Sequence, residues 1–123
     1  MALNVPIFDI SIFIMYVSIT GLKPKGFIGY IKFWTLAIPS FRQAQTAMGN
    51  LHCEVKKING YQCTLTAWDS RDAMLAFMRV GPHLKAMKAF SKIATGKTFG
   101  YETETLPDWE AAFIILQKEG KVY

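Results

Sequence analysis

Apolar and polar positions along this chain switch between a period of two and a helical period, and the switches mark out seven elements. Phe8 to Ile19 is dense in Ile, Phe, Tyr and Val and apolar at both parities. That pattern predicts a strand covered on both faces, hence central in a sheet. Gly21, Pro24 and Gly26 make Thr20 to Gly26 a loop. From Phe27 to Ala37 the spacing turns helical, with Phe27, Ile28, Ile31, Trp34 and Ile38 as its expected apolar stripe. Pro39 is expected to break or kink this helix. Ser40 then caps a second helical set to Met48, stopped by Gly49.

Asn59-Gly60 between Leu51–Ile58 and Tyr61–Trp68 is a strong hairpin signal. A two-residue loop fixes the register: Ile58 opposite Tyr61, Val55 opposite Thr64, Cys53 opposite Thr66 and Leu51 opposite Trp68. Cys53 and Cys63 then fall on opposite faces, which argues against a disulfide between them. Asp69 or Ser70 caps the next helix, with Ala73, Met74, Phe77 and Met78 as its stripe. Gly81-Pro82 interrupts it. His83 to Ala94 follows, burying Leu84, Met87 and Phe90, turning Lys85, Lys88 and Lys92 outward, and ending at Gly96. Lys97 to Thr105 reads as the fourth strand, and Pro107 opens a last helix over Asp108 to Lys118.

The order β-α-β-β-α-β-α is a ferredoxin-like split βαβ unit of the α+β class with an added helix. With no linker or repeat, residues 1–123 form one domain. Helices on one face would leave the other face of the sheet bare. Half the residues are apolar and the mean hydropathy is +0.18, high for a chain this small. A homodimer paired through the bare face would hide that surface.

Other compartments and partners are excluded by specific features. The apolar runs are too short to span a bilayer, so no membrane partner is expected. The N-terminus has no basic region and Asp9 interrupts its apolar stretch, so no signal peptide is expected. Two cysteines make no disulfide framework, and the expected location is cytoplasmic. The net charge of +5 permits anionic ligands. Gly96-Lys97-Thr98 is no phosphate loop, because Ser91 replaces the required glycine and a strand follows. The run Lys97 to Tyr101 echoes an RNA-binding strand, but it is the fourth strand and lacks its aromatic partner motif, so no nucleic acid is expected. Neither histidine has zinc-ligand spacing, and no metal site is expected.

The segment Thr64 to Met87, TLTAWDSRDAMLAFMRVGPHLKAM, resembles the strand-3 to helix-2 signature of dimeric α+β barrel proteins. These form the antibiotic-biosynthesis-monooxygenase and haem-degrading superfamily, with its uncharacterised and spheroidene-monooxygenase-like relatives. The stretch from Arg42-Gln43-Ala44 to Gly49 is similar to the segment those relatives carry before strand 2. The likeness covers roughly Phe27 to Tyr101. It implies a homodimer and a small oxygenase-like enzyme acting on a flat, largely apolar compound, with no cofactor required and haem as an option. The alternative is a dimer that binds haem or a small apolar ligand without turning it over; a third reading is a dimer with no ligand.

The resemblance places Trp68 at the strand end where haem degraders carry a Trp, and His83 in their histidine region. Where those enzymes carry an Asn on strand 1, this strand offers Ser11 and Ser18. His83 is the candidate catalytic residue, as a base, a proton shuttle or an axial ligand if haem binds. Its alternative role is to buttress the helix start. Trp68 is the candidate for stacking a flat aromatic ligand. Arg42 is the candidate clamp for an acidic group. Trp34, Tyr101 and His52 complete the expected ligand-binding set, each with a packing or surface role as its alternative.

Overall fold

The computed structural model describes residues 13–122. It contains β1 (Met15–Pro24), α1 (Gly26–Thr46), β2 (Asn50–Ile58), β3 (Tyr61–Trp68), α2 (Arg71–Met78), α3 (Gly81–Ile93), β4 (Ala94–Thr103), α4 (Trp109–Glu119) and β5 (Lys121–Val122). The five strands form one antiparallel sheet in the order β2-β3-β1-β4-β5. Its first four strands have the ferredoxin-like arrangement that the element order predicts. No helix among the described residues is long and apolar enough to cross a membrane.

β1 is central, between β3 and β4. It begins later and ends later than the sequence pattern suggests, and residues 8–12 of the expected strand lie outside the described residues. The expected loop from Thr20 is strand as far as Pro24. Gly21 reads as a loop residue but lies buried within the strand, where a Cβ would press on the tip of the Leu116 side chain at 2.9 Å.

α1 runs unbroken through Pro39, against expectation. Pro39 lies on the exposed side of the helix, as does Thr35, whose carbonyl loses its partner there and is left to solvent. The opposite, buried side is Gly29, Phe33, Ser40 and Ala44, residues on both sides of Pro39. Most of the anticipated apolar stripe is turned outward, with Phe27 78% and Ile28 67% exposed, whereas Trp34 is half-buried against the core.

The hairpin follows its turn chemistry. Asn59 and Gly60 both have positive φ, as a type I′ turn requires, and Ile58–Tyr61, Val55–Thr64 and Cys53–Thr66 pair as expected. The expected pairing of Leu51 with Trp68 is replaced by Asn50 with Trp68, because the register shifts between Asn50 and His52. Cys53 and Cys63 are both free, and burial raises the pKa of each thiol.

Ser70 Oγ caps α2 by accepting from the Ala73 amide at 3.1 Å. α3 begins at Gly81, in the left-handed region, with Pro82 in its first turn. It passes into β4 at Ala94 with no intervening loop. Gly96 accordingly ends no helix; it lies inside β4, where a Cβ would collide with the Gly21 carbonyl. Asp108, after Pro107, caps α4 by accepting from the Ala111 amide at 2.8 Å.

The sheet is covered on both sides. α1, α2 and α3 pack on one face, around Leu22, Phe33, Ala86 and Phe90 at one end and Ala44, Trp68, Met74 and Phe77 at the other. The second face, expected bare, carries α4: Ala112 and Leu116 pack on Val17, Ile19, Leu65 and Ala67, all at most 2% exposed. The sequence pattern gave α4 no docking site, and the apolar centre of this face supplies one.

Candidate functional site

A cavity of about 370 Å³ lies between the sheet and the helices α1, α2 and α3. Strand pleating builds its floor. Ser18 and Thr20 of β1 stand opposite Thr66 and Thr64 of β3, so four small hydroxyl side chains share one face. Part of this row is tied internally. Thr20 Oγ1 lies 3.2 Å from Thr98 Oγ1, and Thr66 Oγ1 accepts from the Trp68 indole N–H at 2.9 Å. The roof is α1, through Phe33, Trp34, Ala37, Ile38 and Phe41; Met74, Phe77, Met78, Met87 and Phe90 close the end. Arg42 and Gln45, both exposed, stand on α1 beside it.

His83 lines this cavity. Its Nδ1 lies 3.4 Å from the Met78 carbonyl, and a carbonyl only accepts, so Nδ1 carries the proton. Nε2 is then the basic nitrogen. The ring packs on Phe77 with centroids 4.5 Å apart. Burial lowers its pKa below the usual 6.5, with the Met78 hydrogen bond partly opposing the shift, so the imidazole is neutral at pH 7.

Gln43 fixes this histidine. Its Nε2 donates to the Phe77 and Val80 carbonyls at 3.2 and 3.0 Å, and its Oε1 accepts from the His83 amide at 2.8 Å. One side chain of α1 thereby joins the end of α2 to the start of α3. In the sequence Gln43 is marked only by its place beside Arg42, and its role comes from the helix junction it bridges.

The expected site residues separate into three groups. His83, Trp34 and Arg42 meet at the cavity. Trp34 Nε1 is buried with no acceptor among the described residues. The Arg42 guanidinium makes no ion pair among them. Trp68 is not a wall residue: it is 0% exposed and stacks behind Phe77, ring centroids 5.0 Å apart. Phe77, not Trp68, presents an aromatic face to the cavity, because the last residue of β3 is sealed under α2.

Tyr101 and His52 lie on the other face of the sheet. Tyr101 stacks on Phe99 at 5.7 Å against the α4 cluster, where burial raises its pKa. His52 Nε2 pairs with Glu54 Oε2, and Glu54 Oε1 accepts from Trp109 Nε1 at 3.1 Å. The hydrogen bonds from His52 and then Trp109 hold the Glu54 carboxyl below its usual range. Strand alternation separates these residues from His83, and sequence reasoning applied that alternation to the hairpin without extending it to Tyr101.

The cavity is near the lower end of the roughly 300–1,000 Å³ span of small-molecule sites. Among the described residues, Arg42 is the lone cationic side chain lining it, against a porphyrin's two propionates.

No family model and no curated protein matches the sequence. Solved structures do match in fold. A proposed antibiotic biosynthesis monooxygenase from Nitrosomonas europaea superposes with a TM-score of 0.63 at 16% identity, over 75% of this chain and 90% of its own. A second one, from Deinococcus radiodurans, gives 0.63 at 16% identity, over 76% and 96%. SnoaB, a cofactor-independent oxygenase from Streptomyces nogalater, gives 0.60 at 12% identity, over 76% and 98%. The chain has the fold of the antibiotic-biosynthesis-monooxygenase-like proteins.

Proposed function

We propose that the chain is a small oxygenase that takes a flat, largely apolar compound into the cavity and needs no cofactor. One observation carries this reading: a neutral imidazole, with Nε2 as its basic nitrogen, lines an aromatic-walled cavity. His83 Nε2 removes a proton from a ring CH₂ activated by a neighbouring carbonyl. The resulting anion reduces O₂ and combines with it to a peroxide, which takes up a proton. Loss of water leaves a second carbonyl, so CH₂ and O₂ become C=O and H₂O. Arg42, exposed beside the cavity, attracts acidic substituents. The description of SnoaB as a cofactor-independent oxygenase supports this chemistry on this fold.

The test is oxygen uptake by purified chain with anthrone, a flat tricyclic ketone with an acidic CH₂. One O₂ consumed per dicarbonyl product supports the proposal, with the rate falling about 10²–10⁴-fold in His83→Gln. Full-rate turnover by His83→Gln rejects the assigned base. Saturable binding with no oxygen uptake favours a binding protein, and a His83-dependent Soret band on haem titration would make haem that ligand. Homodimerisation belongs to the same proposal. Since α4 fills the centre of the second sheet face, pairing there would use its β2 side, and sedimentation equilibrium of the full chain tests it.

A further inference from the structure

The outer side of α1 is the least expected surface of this protein. Phe27, Ile28, Ile31 and Ile38 are 78%, 67%, 48% and 46% exposed. At about 100° per residue they fall within roughly a third of the helix circumference, opposite buried Phe33 and Ser40. An apolar helix face turned to water marks an interaction surface.

Charge indicates what covers it. Residues 25–46 and 69–93, which contain the three helices of this layer, carry eight Lys or Arg against two acids. Residues 94–123 carry three against five. The positive charge stands beside the stripe. α3 runs antiparallel to α1, as the Lys25 amide bonded to the Ile93 carbonyl at 2.7 Å shows, and Lys85, Lys88 and Lys92 are exposed along it. A second copy docked symmetrically on this face would set like charges against like. An anionic bilayer instead satisfies both features, apolar side chains entering the acyl boundary and lysines meeting lipid phosphates.

We infer that α1 docks this protein on an anionic lipid surface, lying on the bilayer without crossing it. The apolar track runs from Phe27 and Ile31 to Ile38, and Ile38 also lines the cavity. A membrane-dissolved apolar ligand would therefore enter the cavity beside Ile38. That last point rests on the proposed function; the docking does not.

Flotation of the full chain with phosphatidylcholine vesicles, with and without phosphatidylglycerol, tests the inference in the absence of any substrate. Binding is expected only to the anionic vesicles and weakens with salt. Phe27→Ser/Ile31→Ser and, separately, Lys88→Gln/Lys92→Gln each reduce it about tenfold or more. Both pairs change exposed side chains, so thermal midpoints stay near wild type. Equal binding to both vesicle types, no binding, or binding indifferent to both variants overturns the proposal. So does a wild-type dimer that Phe27→Ser/Ile31→Ser converts to monomer, since a second copy would then be the occupant.

Discussion

Replacing Trp68 by Ala distinguishes a ligand platform from a core residue. The indole is fully buried, stacks on Phe77 with centroids 5.0 Å apart and donates to Thr66 Oγ1 at 2.9 Å. Truncating a buried aromatic to Ala costs about 3–5 kcal/mol, most of it lost contacts and the cavity left behind. Within that total the hydrogen bond accounts for about 1 kcal/mol and the ring stack for about 0.5–1.5 kcal/mol. Small domains have total stabilities of about 5–15 kcal/mol, so the loss is large. Urea unfolding followed by far-ultraviolet circular dichroism reads it directly. With a slope near 2 kcal/mol/M, the midpoint falls by about 1.5–2.5 M. Trp68→Phe keeps a ring against Phe77 and loses the N–H, so it falls in between. A Trp68→Ala loss below about 1 kcal/mol, together with abolished ligand binding, would refute the burial argument and return Trp68 to the cavity wall.

Further outcomes follow from the same geometry. The depressed His83 pKa means that the unfolded chain binds more protons between that lowered value and 6.5. Stability from this group is fully present above pH 6.5 and is lost as pH falls through that window, and His83→Phe should flatten this part of a melting-temperature profile. Gln43→Ala removes three hydrogen bonds at the α2–α3 junction and should cost about 1–3 kcal/mol. It should also move the His83 pKa measured by NMR, whereas an unchanged pKa would deny Gln43 a positioning role. Asp108→Ala should lower stability by about 1 kcal/mol through the lost α4 cap, measured by the same urea titration.

The parts of the fold set by local chemistry were legible from sequence. Asn59-Gly60 dictated a turn and through it a register, and Ser70 and Gly81-Pro82 marked real helix boundaries. Features decided by tertiary packing were not. Pro39 breaks a helix only where its lost bond cannot be replaced or left to solvent, and here Thr35 faces water. Gly21 and Gly96 look like loop residues, yet each lies within a strand, and at Gly96 the Gly21 carbonyl leaves no room for a Cβ. The stripe from Phe27 to Ile38 was expected to face inward because apolar helical residues normally do. Gly29, Phe33, Ser40 and Ala44, a smaller and less apolar set, form the buried side instead.

The candidate site divides along the same line. His83 and Trp34 were visible as rare residue types, and both line the cavity. Trp68 was misplaced because periodicity assigns a side to a strand residue but not the helix that will seal it. Tyr101 and His52 were grouped with the site by residue type alone, and the pleat sends them to the opposite face.

The chain has two histidines, one on each face of the sheet, and this permits the most direct test of the central claim. The imidazole Cε1–H resonances of His83 and His52 are followed by NMR during titration with anthrone under anaerobic conditions. Ligand occupying the cavity should move the His83 signal saturably and leave His52 unchanged. A saturable shift of His52 alone, or no shift of either, would contradict the placement of the functional site between the sheet and α1.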